Sequence, residues 1–240
     1  METLTTHPDA FPPNLPPDLD DHAAITHCDW AAFDELTEMS DHWQRPGWSA
    51  DTRAFYWLLP VTDPLFLGQA RHCQETIGRQ DGLDAFDFIR PDGFHLTLGR
   101  IARRGEVTDQ QLDQLAATTQ LGVPDAFALD ALPLTGSRGA LRYSVAPWTP
   151  VIALHRHLAD APLHCGLPSI KGASRFRPHI GIGYCHRTLP ARSVRPAIQS
   201  LRELPPVRLL VDHVELVEMR REGAAYCWEV IHRIRLSGRL

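Results

Sequence analysis

Phe94-His95-Leu96-Thr97-Leu98-Gly99 and Pro178-His179-Ile180-Gly181-Ile182-Gly183 are two runs of one design, with their histidines 84 positions apart. Each alternates in the period of a half-buried strand. Side chains two apart share a strand face, so Leu96 and Leu98 point one way while His95 and Thr97 point the other, and Ile180 and Ile182 likewise oppose His179. The apolar side can meet covering helices, leaving each histidine on the open side of a sheet. Two imidazoles facing one cleft can divide acid–base work near neutral pH, the neutral ring accepting a proton and the charged ring donating one, with no metal required. Thr97, one pleat beyond His95, sets a hydroxyl donor where it can hold a phosphoryl oxygen. By the same strict alternation Tyr184 falls on the face opposite His179, near a strand end from which it can swing to the rim of a ligand.

Outward from these runs, strands and helices interleave. Residues 53–61 read as a strand, and Asp63 caps a helix that opens on Pro64 and runs to about Ile77. A helix is expected from Thr108-Asp109 to Ala117. Strands follow at 126–134 and 140–146, joined at Gly136-Ser137-Arg138-Gly139, then a helix over 148–159 and another near 193–201. Val207 to Glu218 and Ala225 to Arg235 read as one closing hairpin over Glu222-Gly223. Several neighbouring strands are joined by turns too short for a helical crossover, so antiparallel pairing and an α+β fold are expected.

The 240 residues suffice for a domain of two lobes. Residues 1–44 hold ten of the 29 acidic residues and no Lys or Arg; the other 196 residues hold 24 basic and 19 acidic ones, a net of +5. The body therefore suits an anionic ligand in a local pocket and lacks the broad basic face of a non-specific nucleic-acid binder. With Pro8, Pro12, Pro13, Pro16 and Pro17 among acidic and small polar residues, 1–22 reads as a mobile tail, followed by a helix-and-turn extension over 23–52 broken at Arg45-Pro46-Gly47 and a bilobal domain over 53–240. The five cysteines are scattered and odd in number, and His155, His157 and His164 lack partners at ligand spacing, so neither a disulfide framework nor a metal site is expected. No phosphate-loop or dinucleotide-binding glycine pattern is present. The N-terminus has no signal-peptide pattern and no stretch is apolar enough to span a membrane, which makes a cytoplasmic protein the expectation.

The pair Phe94-His95-Leu96-Thr97-Leu98 and Phe176-Arg177-Pro178-His179-Ile180-Gly181-Ile182-Gly183-Tyr184 resembles the 2H phosphoesterase superfamily, in its 2′-5′ RNA ligase-like branch. The run His42 to Trp48, leading into Phe55-Tyr56-Trp57, looks like an actinobacterial version of the group. The resemblance implies a bilobal, pseudo-twofold α+β fold with two mainly antiparallel sheets flanking a central cleft and helices outside. It implies that His95 and His179 are acid and base, that Thr97 binds the scissile phosphate, and that the chemistry opens 2′,3′-cyclic phosphates or cleaves or joins 2′-5′ links without a cofactor. Arg177, with Arg175 and Lys171, is a basic group placed to hold phosphate, and Tyr56, Trp57, Tyr226 and Trp228 offer rings for a base to stack on. The expected partner is a nucleotide, an RNA-end phosphoester or a small phosphorylated metabolite, with no membrane partner; a monomer is favoured. Gly181 departs from the pattern, where the family has Thr or Ser, and leaves the cleft bare beside His179. Two alternatives follow: a nucleotide-binding module with weakened or lost catalysis, or a cleft recruited to other acid–base chemistry in small-molecule biosynthesis.

Overall fold

The structure, a computed structural model, describes residues 4–44, 48–80, 82–167 and 173–238. These residues form α1 (His22–Glu35), β1 (Glu38–Met39), β2 (Arg53–Pro60), α2 (Pro64–Gly78), β3 (Phe86–Phe88), β4 (His95–Arg103), α3 (Asp109–Gln120), β5 (Phe127–Gly136), β6 (Ala140–Ala146) and α4 (Trp148–Asp160). After these come β7 (His179–Cys185), β8 (Leu189–Pro190), α5 (Arg195–Gln199), β9 (Val207–Val211), β10 (His213–Glu222) and β11 (Ala225–Arg235). One sheet has four strands in the order β11-β10-β2-β4, and the other has five in the order β3-β7-β6-β5-β9, with every pairing antiparallel. The strands β1 and β8 make a separate two-stranded ribbon.

Local sequence explains the covering helices. Asp63 accepts hydrogen bonds from the Leu65 and Phe66 amides at 2.9 and 3.1 Å, Pro64 supplies a pre-set first turn, and the helix turns Phe66, Ala70, Cys73 and Ile77 inward at helical spacing. The Phe66 ring meets Tyr143 of β6 at 5.0 Å, and Cys73 Sγ lies 3.3 Å from the Tyr143 hydroxyl, so α2 covers the five-stranded sheet on the Ile180 and Ile182 side. On the other lobe α3 packs on β11 and α4 on β4. The two lobes meet where β4 packs against β7.

The expected single strand from Val207 to Glu218 is two strands in different sheets. Val207, Leu209 and Val211 face the interior of the five-stranded sheet, whereas Val214 and Leu216 carry the inward set in the four-stranded one. Alternating burial ends at Asp212, where the chain crosses between lobes, and residues 214–219 are buried without a break; an alternation that stops marks a strand leaving one sheet for another.

Residues 4–21, expected as a tail, instead lie along the five-stranded sheet. Their backbone carbonyls accept hydrogen bonds from body arginines: Arg138 to Pro8 and Asp9 at 2.7 and 2.9 Å, Arg142 to Phe11 at 3.1 Å, and Arg177 to Thr5, Pro12 and Pro13 at 2.9 to 3.1 Å. Their carboxylates pair too, Asp9 with Arg175 at 3.0 Å and Asp20 with the Thr149 hydroxyl at 2.7 Å. Proline-rich backbone has few N–H donors of its own and so offers most of its carbonyls to external donors. The charge asymmetry of the sequence is thus met within the fold. Helix α1 follows on the same sheet, against β5 and β6. Gly136 is required there, because a Cβ at that position would stand 2.2 Å from the Phe33 ring.

His155 is a core residue: 2% exposed on α4, stacked on Phe176 at 4.3 Å, with a buried Nδ1 that has no hydrogen-bond partner among the described residues. Burial, reinforced by neighbouring Arg156, pushes its pKa down to about 4. The folded pKa lies below the unfolded value near 6.5, so this contribution is complete above pH 6.5 and is lost as pH falls toward 4. Denaturant titrations at pH 7 and pH 4.5 are expected to show that His155→Leu loses less stability on acidification than the parent protein; equal losses would contradict this.

Candidate active site

His95 opens β4 and His179 opens β7. Both rings are fixed in one manner. Nδ1 lies 2.8 Å from the carbonyl oxygen two residues upstream, that of Gly93 for His95 and of Arg177 for His179. A carbonyl only accepts, so Nδ1 carries hydrogen in both rings and Nε2 is the basic nitrogen of each.

Leu96 and Ile180, the residues following the two histidines, line a single cavity of about 320 Å³ with Leu59, Val61, Leu129 and Leu209, and with Asp63, Asp212 and His213. By strand alternation His95 and Thr97, and His179 and Gly181, turn to the opposite side of their own strands. On that side lies a second cavity of about 280 Å³, walled by His95, Phe88, Arg90, Tyr184, Tyr226 and Trp228 among others. The Trp228 ring stands edge-on to His95 at 5.1 Å. His95 is 9% exposed, and burial drives its pKa below the ordinary histidine value, with the Gly93 hydrogen bond working the other way. His179 and Thr97 are exposed.

Of the residues expected at the site, His95 and Tyr184 share the cavity wall, while His179, Thr97, Gly181 and Tyr56 do not line it. Tyr184 is not on the face opposite His179. Opposite β6, Leu141 pairs with Gly183 and Arg142 with Gly181, so Ile182 is an extra residue in β7. This bulge resets the alternation, and the Tyr184 ring swings over the Gly181 face, with Cε1 and the hydroxyl each 3.9 Å from where a Gly181 Cβ would stand. His42 stacks on that ring at 4.1 Å, and Trp43 and Tyr226 meet it edge-on at 5.2 and 5.4 Å.

Arg177 is not a phosphate-holding residue in this structure. It is 5% exposed, and its guanidinium is taken up by the carbonyls of Thr5, Pro12, Pro13, Ser174 and Phe176, so it clamps the N-terminal segment. Arg175 likewise reaches His7 and Asp9. Lys171 and the break at Arg45-Pro46-Gly47 lie outside the described residues. Tyr56 shares its sheet face with Thr97 and His95, because Leu58 pairs with Thr97 and Pro60 with His95; it meets Trp48 edge-on at 5.8 Å.

Sequence reasoning missed Arg90, Phe88 and His42. Arg90 brings an exposed guanidinium to the cavity, its nearest carboxylate being Asp92 at 3.5 Å. An Arg-Pro pair precedes each histidine, and that was a legible signal, although only the first arginine reaches the cavity. His42 bonds through Nε2 to the Tyr226 hydroxyl at 3.0 Å, a contact across 184 residues with no local signature. Among the described residues no group of three or more His, Cys, Asp and Glu is arranged to hold a metal ion, all five cysteines are free, and no helix is long and apolar enough to cross a membrane.

Solved structures share this architecture. The crystal structure of E. coli LigT complexed with 3′-AMP is 15% identical, with a TM-score of 0.56 over 78% of this chain and 100% of LigT. A crystal structure described as a phosphoesterase gives the same identity, score and coverage. TT0787 of Thermus thermophilus is 14% identical, with a TM-score of 0.55 over 76% of this chain and 97% of its own. No curated protein sequence matches the chain. The model of the 2′-5′ RNA ligase superfamily matches residues 95–223, from the first histidine to the closing hairpin. That span is more than half of the chain, begins at His95 and contains His179; the protein belongs to the 2′-5′ RNA ligase superfamily of 2H phosphoesterases.

Proposed function

We propose that the protein is a metal-independent phosphoesterase that opens a 2′,3′-cyclic phosphate, or acts on a 2′-5′ link, at a nucleotide or RNA end. The observation that carries this is the matched hold on the two histidines, each starting a strand with Nδ1 on the carbonyl two residues upstream, which leaves Nε2 as the basic nitrogen. The bound nucleotide of LigT, 3′-AMP, supports a nucleotide as ligand. The rings of Phe88, Tyr226 and Trp228 beside His95 give a base somewhere to stack, and Arg90 gives a phosphate a counter-charge.

Burial favours the neutral ring of His95, which suits it to act as the base, and His179 then takes the part of the acid. In ring opening, His95 Nε2 removes a proton from water as the water oxygen bonds to phosphorus. The bond from phosphorus to one ribose oxygen breaks, and protonated His179 supplies a proton to that oxygen. The products are a phosphomonoester and a free hydroxyl. The two rings have then exchanged protonation states, which solvent restores. Thr97 donates its hydroxyl to a non-bridging oxygen as charge gathers there. Both proton transfers are made by protein groups, so no step calls for a metal.

The test is incubation of the purified protein in EDTA with 2′,3′-cyclic nucleotides and 2′-5′ dinucleotides. Turnover unaffected by EDTA is expected; no turnover across the panel would overturn the proposal. The pH profile gives a second prediction. A base whose pKa is held down stays competent below the usual histidine range, so the acid limb of kcat/KM should fall below pH 6.5; an acid limb above pH 7 would contradict the assignment of His95.

A further inference from the structure

The two motif runs differ at one position that matters chemically: two residues beyond His95 stands Thr97, and two residues beyond His179 stands Gly181. We infer that the Tyr184 hydroxyl supplies the donor that Gly181 cannot, holding a phosphoryl oxygen from the His179 side of the cleft as Thr97 does from the His95 side. The inference rests on the phosphoesterase reading above and names a further phosphate-binding group within it.

Three observations carry it. The bulge at Ile182 brings a residue three positions beyond Gly181 back onto the Gly181 face, where strict alternation would have sent it away. The Tyr184 hydroxyl then lies 3.9 Å from the point at which a side chain at 181 would begin, so it occupies the zone a threonine hydroxyl at 181 would reach. Tyr184 also lines the cavity that His95 walls, so its ring and the His95 imidazole face one space. Its orientation is fixed before any ligand arrives: His42 stacks on the ring at 4.1 Å, and Tyr226, bonded to His42 at 3.0 Å, meets it edge-on. A donor held in place in advance contributes more to a charged transition state than one that must be ordered during the reaction.

The test uses Tyr184→Phe, which removes the hydroxyl and keeps the ring and its stacking. Two readouts are taken: kcat and KM on adenosine 2′,3′-cyclic phosphate, and calorimetric affinity for adenosine 2′-phosphate beside adenosine. The expected result is a roughly 10- to 100-fold loss in kcat/KM and about a 10-fold loss of adenosine 2′-phosphate affinity, with adenosine affinity unchanged. Adding Gly181→Thr to Tyr184→Phe should recover a several-fold part of the loss, since a Cβ at 181 meets only ordinary contacts, 3.4 Å to Ile89 and 3.9 Å to the tyrosine ring. Unchanged nucleotide affinity in Tyr184→Phe, or a parallel loss for adenosine, overturns the inference even where turnover depends on His95. Absence of turnover in the parent protein overturns the phosphoesterase reading, while the binding comparison still decides the role of Tyr184.

Discussion

Replacing either histidine with alanine is expected to lower kcat for cyclic phosphate hydrolysis by about 100- to 10,000-fold, with KM changed far less, because a positioned general acid or base contributes on that scale. The double variant should be scarcely worse than the weaker single one, since each proton transfer needs the other. The two substitutions differ structurally. His95 sits under Trp228 in a nearly closed environment, so His95→Ala opens a small void, whereas His179 is exposed and its loss leaves packing intact. Melting temperature therefore separates the two effects: a modest drop for His95→Ala and none for His179→Ala, with both losing turnover. A single variant within tenfold of the parent rate would remove that residue from the mechanism.

The largest stability effect is expected at Asp29. This carboxylate is 2% exposed on α1, accepts from Arg142 Nη2 at 2.7 Å, and accepts the Ser144 hydroxyl through its other oxygen. Arg142 is itself 2% exposed and also donates to the Phe11 carbonyl, with its guanidinium 5.3 Å from the Phe11 ring centre. Asp29→Ala would leave that guanidinium buried without its counter-charge, which costs about 3–5 kcal/mol, a large share of the roughly 5–15 kcal/mol that holds a protein folded. Denaturant unfolding measures it directly. Replacing both partners with apolar residues, Asp29→Leu with Arg142→Met, should lose less than Asp29→Ala alone, because no charge is left stranded. A loss under about 1 kcal/mol for Asp29→Ala would mean that α1 and the segment before it are dispensable to the body.

This network also shows why part of the molecule was illegible in the sequence. Composition treats an acidic, proline-rich stretch as unable to bury surface, and that holds only when nothing else offers it partners. Here Arg138, Arg142, Arg175 and Arg177, far along the chain, donate to its carbonyls and carboxylates. A donor's partner 165 residues away leaves no local pattern, which is why Arg177 read as a phosphate ligand and proved to be a clamp. The histidine strands were legible because alternation is a local property. Leu96, Leu98, Ile180 and Ile182 are buried as that period requires, and the phase of His95 and Thr97 follows. Tyr184 was misplaced by the same rule, since one extra residue at Ile182 reverses everything downstream of it. The switch at Asp212 was hidden, because apolar residues fall at odd and even positions alike on both sides of it: Leu209, Leu210 and Val211 before, Val214, Leu216 and Val217 after. The aromatic wall from His42 to Tyr226 was hidden too, because it is assembled by the sheets rather than by neighbours in the chain.

The central claim is that one phosphate is served by two imidazoles from different lobes. A crystal structure of the protein bound to adenosine 2′-monophosphate tests it most directly. The phosphate is expected within about 3 Å of Nε2 of both His95 and His179. A phosphate bound away from both rings, or held by one while the other faces separate surroundings, would contradict it.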